Sequence, residues 1–98
     1  MEKKYKVSWS KEAKVQIDSI IAFLKEHSTT QEADNFLDLL LHFQKTIETF
    51  PKSFKISKRR KNCRLGLVHK HVTALYTIKQ KTVFIITVFD NRCKPKYT

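Results

Sequence analysis

The sequence predicts an α+β fold: an N-terminal strand, an α-helical hairpin, and a three-strand antiparallel meander that completes one small sheet. Three observations predict it. Apolar residues recur every three or four positions across residues 11–50, and the period changes to two after residue 62. The later strands follow one another with short connections, which favours antiparallel pairing. Because 98 residues can enclose one core but not two, we expect a single domain over residues 1–98.

The first half predicts one strand and two helices. Lys4–Trp9 alternates polar and apolar residues, as a strand with one buried face does. Ser10 has the side chain of a helix N-cap, and an apolar stripe then continues to about Lys25. Thr30 is predicted to cap the second helix, and Pro51 ends it because proline cannot continue the backbone hydrogen bonding.

The second half predicts three strands, over Cys63–Val68, Val72–Ile78 and Val83–Phe89. The polar residues Lys79–Thr82 form the short connection that a hairpin requires. Since the last strand is apolar on both faces, we expect it to be central in the sheet.

The positive charge is concentrated in the second half. Residues 1–48 contain seven Lys/Arg and eight Asp/Glu, whereas residues 49–98 contain thirteen and one, and no acid lies between Glu48 and Asp90. Such asymmetry is typical of contact with polyphosphate or with an acidic protein. The densest part is Lys52–His71, for which the alternative interpretation is a solvated, mobile loop. Binding to a membrane surface fits less well, because neither predicted helix is basic along one face.

Several classes of protein are not supported by the composition. No apolar run approaches the roughly 18–20 residues of a membrane span, and the N-terminus lacks the apolar core of a secretory signal. We therefore expect a cytoplasmic protein in which Cys63 and Cys93 are reduced thiols. There is no Cys/His spacing typical of a metal site, and the single glycine, Gly66, excludes a phosphate-cradling loop. We expect neither a metal nor a small-molecule cofactor.

The residues that could carry chemistry are mainly cations. Arginines position phosphates and stabilise the added negative charge of a phosphoryl transition state, while a histidine can move protons. The catalytic candidates are Arg64, Arg92 and His71, and the candidates for binding nucleic acid or another target are Lys55, Lys58, Arg59, Arg60, Lys61 and His69. His69 and His71 would share one face of an extended segment; a pair of exposed turn histidines is the alternative.

Three segments resemble one known family. Val7–Ala13 (VSWSKEA) is similar to the opening of toxins of the RelE/ParE superfamily. Near the end, Leu75–Ile78, a short turn and Val83–Val88 lead into Phe89–Pro95 (FDNRCKP), which is similar to the Phe-Asp-x-Arg-x-x-Pro ending of these toxins. Phe50-Pro51, after the second helix, also fits. The resemblance implies a small cytoplasmic toxin of a type II toxin–antitoxin system, which is neutralised by a cognate antitoxin encoded beside it.

The resemblance implies two alternative activities. RelE-like members cleave messenger RNA on the ribosome as metal-independent endoribonucleases, whereas ParE-like members poison DNA gyrase and are not known as nucleases. The leading hypothesis is ribosome-dependent cleavage of messenger RNA that arrests growth, with the ribosome and messenger RNA as partners. Thr73 stands where RelE-like members often carry an arginine, which favours the alternatives: a gyrase inhibitor without nuclease activity, or an inactive copy of the toxin fold.

The antitoxin is the second expected partner. An exposed sheet beside a helical hairpin can accept an extended or helical segment. Because the second half is basic, we expect this segment to be acidic and to approach Lys55–Arg64 or the adjacent sheet face.

Overall fold

Two helices cover one face of a five-stranded sheet in the computed structural model, which describes residues 4–90. The elements are β1 (Lys6–Trp9), α1 (Lys11–His27), α2 (Thr30–Thr49), β2 (Lys55–Ile56), β3 (Cys63–His69), β4 (Val72–Lys79) and β5 (Thr82–Asp90). The sheet order is β1-β5-β4-β3-β2; β1 pairs with β5 in parallel, and the other neighbours are antiparallel. The predicted α+β class is confirmed, with one strand more than expected.

The first helix is attached to the last strand. The Ser10 hydroxyl accepts from the Ala13 amide at 2.9 Å, as predicted for an N-cap, and donates to the Ile86 carbonyl at 2.6 Å. One turn later, Gln16 Oε1 accepts from the Val88 amide at 2.7 Å and from the Thr87 hydroxyl at 2.8 Å. These polar contacts hold α1 over β5.

The two helices form the predicted hairpin, with one correction at its turn. The Glu32 amide donates to the hydroxyl of Thr29, not of Thr30, at 3.0 Å. Thr29 is therefore the N-cap of α2, and Thr30 is its first residue. The second helix ends at Thr49, just before Pro51, as predicted. Neither helix in the described part is long and apolar enough to cross a membrane.

Apolar residues pack on both faces of the sheet. Between helices and sheet, Phe36 and Ile47 of α2 join Tyr76 and Ile85, all at most 1% exposed. Because side chains alternate along a strand, Leu75 lies on the opposite face, where it is fully buried in a smaller cluster. That cluster also contains Cys63 and Leu65, with Ile86 and Phe89 packed against it.

The last strand is an interior strand rather than the middle one. It lies between β1 and β4, and this explains its two apolar faces. The middle position belongs to β4, since two strands lie on each side of it among residues 4–90. Each of the two antiparallel pairs that β4 forms contains an irregularity, between Leu67 and His69 and between Leu75 and Tyr76.

Candidate functional site

The densest group of cations lies on a hydrogen-bonded loop. Residues 57–62, called here the basic loop, join β2 to β3 and carry the exposed Lys58, Arg59, Arg60 and Lys61. The buried Ser57 hydroxyl accepts from the amides of Arg59 and Arg60 at 3.3 and 3.0 Å. At the other end, the Thr77 hydroxyl donates to the Asn62 carbonyl at 2.7 Å. Hydrogen bonds therefore hold the backbone at both ends, while the four cationic side chains remain exposed.

The loop continues an edge strand that the sequence pattern did not predict. β2 contains only Lys55 and Ile56, which pair with Leu65 and Arg64 of β3. Two residues are too few for a recognisable alternation. Both side chains are exposed, so Lys55 adds a fifth cation beside those of the basic loop.

Arg64 holds the chain segment that follows α2. Its Nη1 donates to the Phe54 carbonyl at 2.8 Å and to the Lys52 carbonyl at 3.2 Å. Its side chain is half-buried. Hydrogen bonds from a charged donor are among the stronger ones in proteins. The observed contacts of Arg64 are thus structural ones to the backbone of residues 52–54.

Tyr76, the residue paired with Arg64 on β4, holds the same segment. Its hydroxyl donates to the carbonyl of the buried Pro51 at 2.6 Å. Burial raises the pKa of Tyr76 to about 12, an effect that the nearby Arg64 charge opposes. A buried tyrosine normally finds a hydrogen-bond partner, but the sequence could not show which carbonyl it would reach.

The two histidines lie at the other end of β3. His69 is the last residue of the strand, whereas His71 belongs to the turn before β4, so the two do not share one face of an extended segment. The His71 amide donates to His69 Nδ1 at 3.3 Å, and the ring centroids are 6.0 Å apart. The Phe36 ring meets His69 edge-on at 6.1 Å. Both side chains are half-buried and only His71 lies in the turn, so the pair is neither a shared strand face nor two exposed turn histidines.

The structure does not bring the catalytic candidates together. Arg64 and His69 are five residues apart on one strand, which at about 3.3 Å per residue corresponds to roughly 16 Å. His71 lies beyond His69, further along the same direction. Arg92, the third candidate, lies outside the described residues. Among the binding candidates, the five lysines and arginines gather at the Arg64 end, and His69 lies at the opposite end.

An open groove lies beside Arg64, where β3 begins and β4 ends. It has a volume of about 390 Å³. We call it the cationic groove. Three cations, two isoleucines and three small or polar residues line it: Lys52, Arg64, Lys79, Ile56, Ile78, Asn62, Cys63 and Thr77. Lys52 begins the basic stretch Lys52–His71 but was not among the candidate site residues, and Lys79 stands apart from that stretch at the end of β4. For Lys79 the only signal was the absence of acids between Glu48 and Asp90.

The thiol of Cys63 also borders this groove but is itself buried. Burial raises its pKa, while the Arg60 charge and a hydrogen bond with Thr77 act in the opposite direction. The raised pKa keeps the thiol protonated at neutral pH, so it lacks the thiolate character of a nucleophile. Among the described residues, no group of three His, Cys, Asp or Glu is arranged to hold a metal ion.

Comparison with known proteins identifies the family. The model of the family described as "ParE toxin of type II toxin-antitoxin system, parDE" matches residues 7–93. The chain belongs to the ParE toxin family. The resemblance to RelE/ParE toxins is thereby confirmed. In this ParE-family chain, Thr73 is buried on the middle strand and pairs with Leu67 and Phe89.

Two solved structures have the same fold as this ParE-family toxin. One is from the chromosomal ParDE toxin–antitoxin system of P. aeruginosa, with a TM-score of 0.75 and 12% identity over 89% of this chain and 96% of that one. The other is a copper-bound mutant toxin from Helicobacter pylori, with a TM-score of 0.56 and 13% identity over 90% and 96%. At these identities the likeness shows the fold alone. Among curated proteins, none matches the chain.

Proposed function

We propose that this toxin arrests growth by binding DNA gyrase without cleaving RNA, and that a cognate antitoxin neutralises it. The family match over residues 7–93 carries the proposal, because gyrase inhibition is the activity that the resemblance implies for ParE-like members. This reverses the order of the two hypotheses drawn from the sequence, where cleavage of messenger RNA came first. Both targets are cytoplasmic, as we expect this protein to be.

The geometry of the cations supports binding more than cleavage. General acid–base catalysis requires its groups within hydrogen-bond reach of one reacting phosphate. Arg64 and His69 are roughly 16 Å apart along β3, and His71 lies beyond His69. The hydrogen bonds of Arg64 to the carbonyls of residues 52 and 54 also give it a structural role. Thr73 supplies no guanidinium at the position where RelE-like nucleases often carry one.

The basic loop suits a role in association. Its four cations are exposed on a backbone that is hydrogen-bonded at both ends, so little ordering of the backbone is needed when a partner binds. Clustered charge of one sign increases the rate of encounter with an oppositely charged surface. We expect Lys55, Lys58, Arg59, Arg60 and Lys61 to act in this way.

Parallel target assays would test the proposal. Toxin freed from its antitoxin should inhibit supercoiling of relaxed plasmid by gyrase and accumulate cleaved gyrase–DNA complexes, and should leave ribosome-bound messenger RNA intact. Cleavage of messenger RNA with unaffected gyrase would refute it and restore the nuclease hypothesis. If expression without the antitoxin is harmless although the protein is folded, the chain is an inactive copy of the toxin fold.

Charge variants would test the role of the loop. The test variant replaces the four loop cations by glutamine. A control of equal net charge replaces four exposed helical lysines, Lys11, Lys14, Lys25 and Lys45. We expect the loop variant to weaken gyrase inhibition by about tenfold or more and the control by much less. Equal effects would mean that net charge, and not the loop, governs binding.

A further inference from the structure

We propose that the cationic groove receives the carboxylate of an acidic side chain from the antitoxin. The inference rests on the antitoxin binding proposed above and assigns the groove a role as the point where an extended segment of that partner is fixed. Three observations support it: three cations in a stretch of sequence without acids, two isoleucines in the lining, and donors of Arg64 that its contacts with residues 4–90 leave unused.

The charge of the groove has no counterpart in the neighbouring sequence. Lys52, Arg64 and Lys79 line it, and no Asp or Glu occurs between Glu48 and Asp90. Asp90 pairs with Val72 at the opposite end of β4, and the Glu48 carboxylate accepts a hydrogen bond from a glutamine on its own helix. An anion supplied from outside would therefore meet three cations without displacing an acid of the same segment.

The walls favour a protein over a nucleic acid. Ile56, which is 61% exposed, and Ile78 line the groove beside the cations. Asn62 and Thr77 also line it, but the Thr77 hydroxyl already donates its proton to the Asn62 carbonyl. Interfaces with nucleic acids are more polar than interfaces between proteins, and phosphate contacts come mainly from charged and hydroxyl groups. A glutamate or aspartate can place its methylene groups against the isoleucines while its carboxylate meets the cations.

Arg64 keeps hydrogen-bond donors for such a carboxylate. Among residues 4–90, both of its hydrogen bonds use Nη1, which leaves Nε and Nη2 as donors. A guanidinium binds a carboxylate most strongly through two parallel N–H donors. Because the backbone carbonyls at residues 52 and 54 hold the side chain, little rotamer entropy is lost on binding.

The test measures antitoxin affinity with charge-reversed variants. The probe is the purified protein encoded by the reading frame adjacent to that of the toxin. The variants are K52E and K79E, both at exposed positions, and the control is K14E on the exposed side of α1. Circular dichroism confirms that each variant is folded. We expect each groove variant to raise the Kd about tenfold or more and K14E to raise it less than threefold.

Charge exchange makes the assignment specific. Changing one acidic residue of the antitoxin to lysine should restore binding to K79E, and changing the other acids should not. If K52E and K79E bind the antitoxin as K14E does, the groove inference is wrong, although neutralisation by the antitoxin stands. If the wild-type toxin does not bind this antitoxin at all, the groove inference and the proposed neutralisation by the antitoxin are both wrong. If K52E and K79E lose the binding to a short RNA that the wild type shows, while their affinity for the antitoxin is unchanged, the groove is a nucleic-acid site and the inference is also wrong.

Discussion

Replacing Arg64 by methionine separates a structural role from a catalytic one. R64M keeps the aliphatic stem but removes the two hydrogen bonds from Nη1 to the carbonyls at residues 52 and 54. A hydrogen bond from a charged donor contributes roughly 1.5–3 kcal/mol. The contact to residue 52 is exposed, so water can replace it, whereas the 2.8 Å contact to Phe54 is partly buried. We therefore expect R64M to lower the free energy of unfolding by about 2 kcal/mol.

The assay is urea unfolding of the isolated toxin, with the slope m compared between variants so that midpoints report stability. For a domain of this size, about 2 kcal/mol corresponds to a fall in Tm of roughly 8–16 °C. R59M is the matched control, because it removes the same charge from an exposed loop position and should cost less than about 0.5 kcal/mol. If R64M is as stable as R59M but no longer toxic, Arg64 acts on the target and the structural interpretation is wrong.

Three further predictions concern buried groups. Gly66→Ala should destabilise the fold by about 1–3 kcal/mol, because a Cβ there would lie 2.5 Å from Phe43 Cε1. If the variant unfolds in urea with the stability of the wild type, Gly66 and Phe43 are not packed this closely. Tyr76→Phe should lower the free energy of unfolding by about 1–2 kcal/mol. The control, Tyr5→Phe, should lower it much less. Since the pKa of Tyr76 is raised from 10.0 to about 12, its contribution is complete below pH 10 and is lost as the pH rises towards 12. The gap in stability between wild type and Tyr76→Phe should narrow over that window, and a constant gap would contradict the raised pKa. Alkylation of Cys63 by iodoacetamide at pH 8 should be much slower in the native protein than in urea, because burial protects the thiol and raises its pKa; equal rates would show that the site is open.

The sequence predicts the long elements of this fold because their periodicity is strong. The apolar stripe of α1 and the alternation of polar and apolar residues in β1 arise because one face of each element packs on the core. The missed strand β2 shows the limit of such patterns. Its two residues are exposed and become a strand only by pairing with β3, which no local pattern records. The one-residue error at the cap of α2 arose because Thr29 and Thr30 have the same side chain.

The candidate site was predictable in composition but not in arrangement. The charge asymmetry indicates which segment of the sequence carries the cations. However, the partners of Arg64 are carbonyls 10 and 12 residues away, which only the path of the chain after Pro51 brings close. One separation was predictable: once residues 63–68 are assigned to a strand, its rise alone puts Arg64 far from the histidines. The groove itself could not be predicted, because Lys52 and Lys79 are far apart in the sequence and only the folded chain brings them to the same groove.

The pairing of the first strand with the last has a consequence for the order of events during synthesis. Lys6 is the partner of Thr82, and Ser10, the N-cap of α1, is bonded to Ile86, so a strand made before the helices is paired with a strand made long after them. A ribosome adding 5–20 residues per second needs about 4–15 s to proceed from one to the other. During that interval the apolar side of the helical hairpin has no sheet to cover it. The helical hairpin can therefore pack on a complete sheet only after β5 has been synthesised.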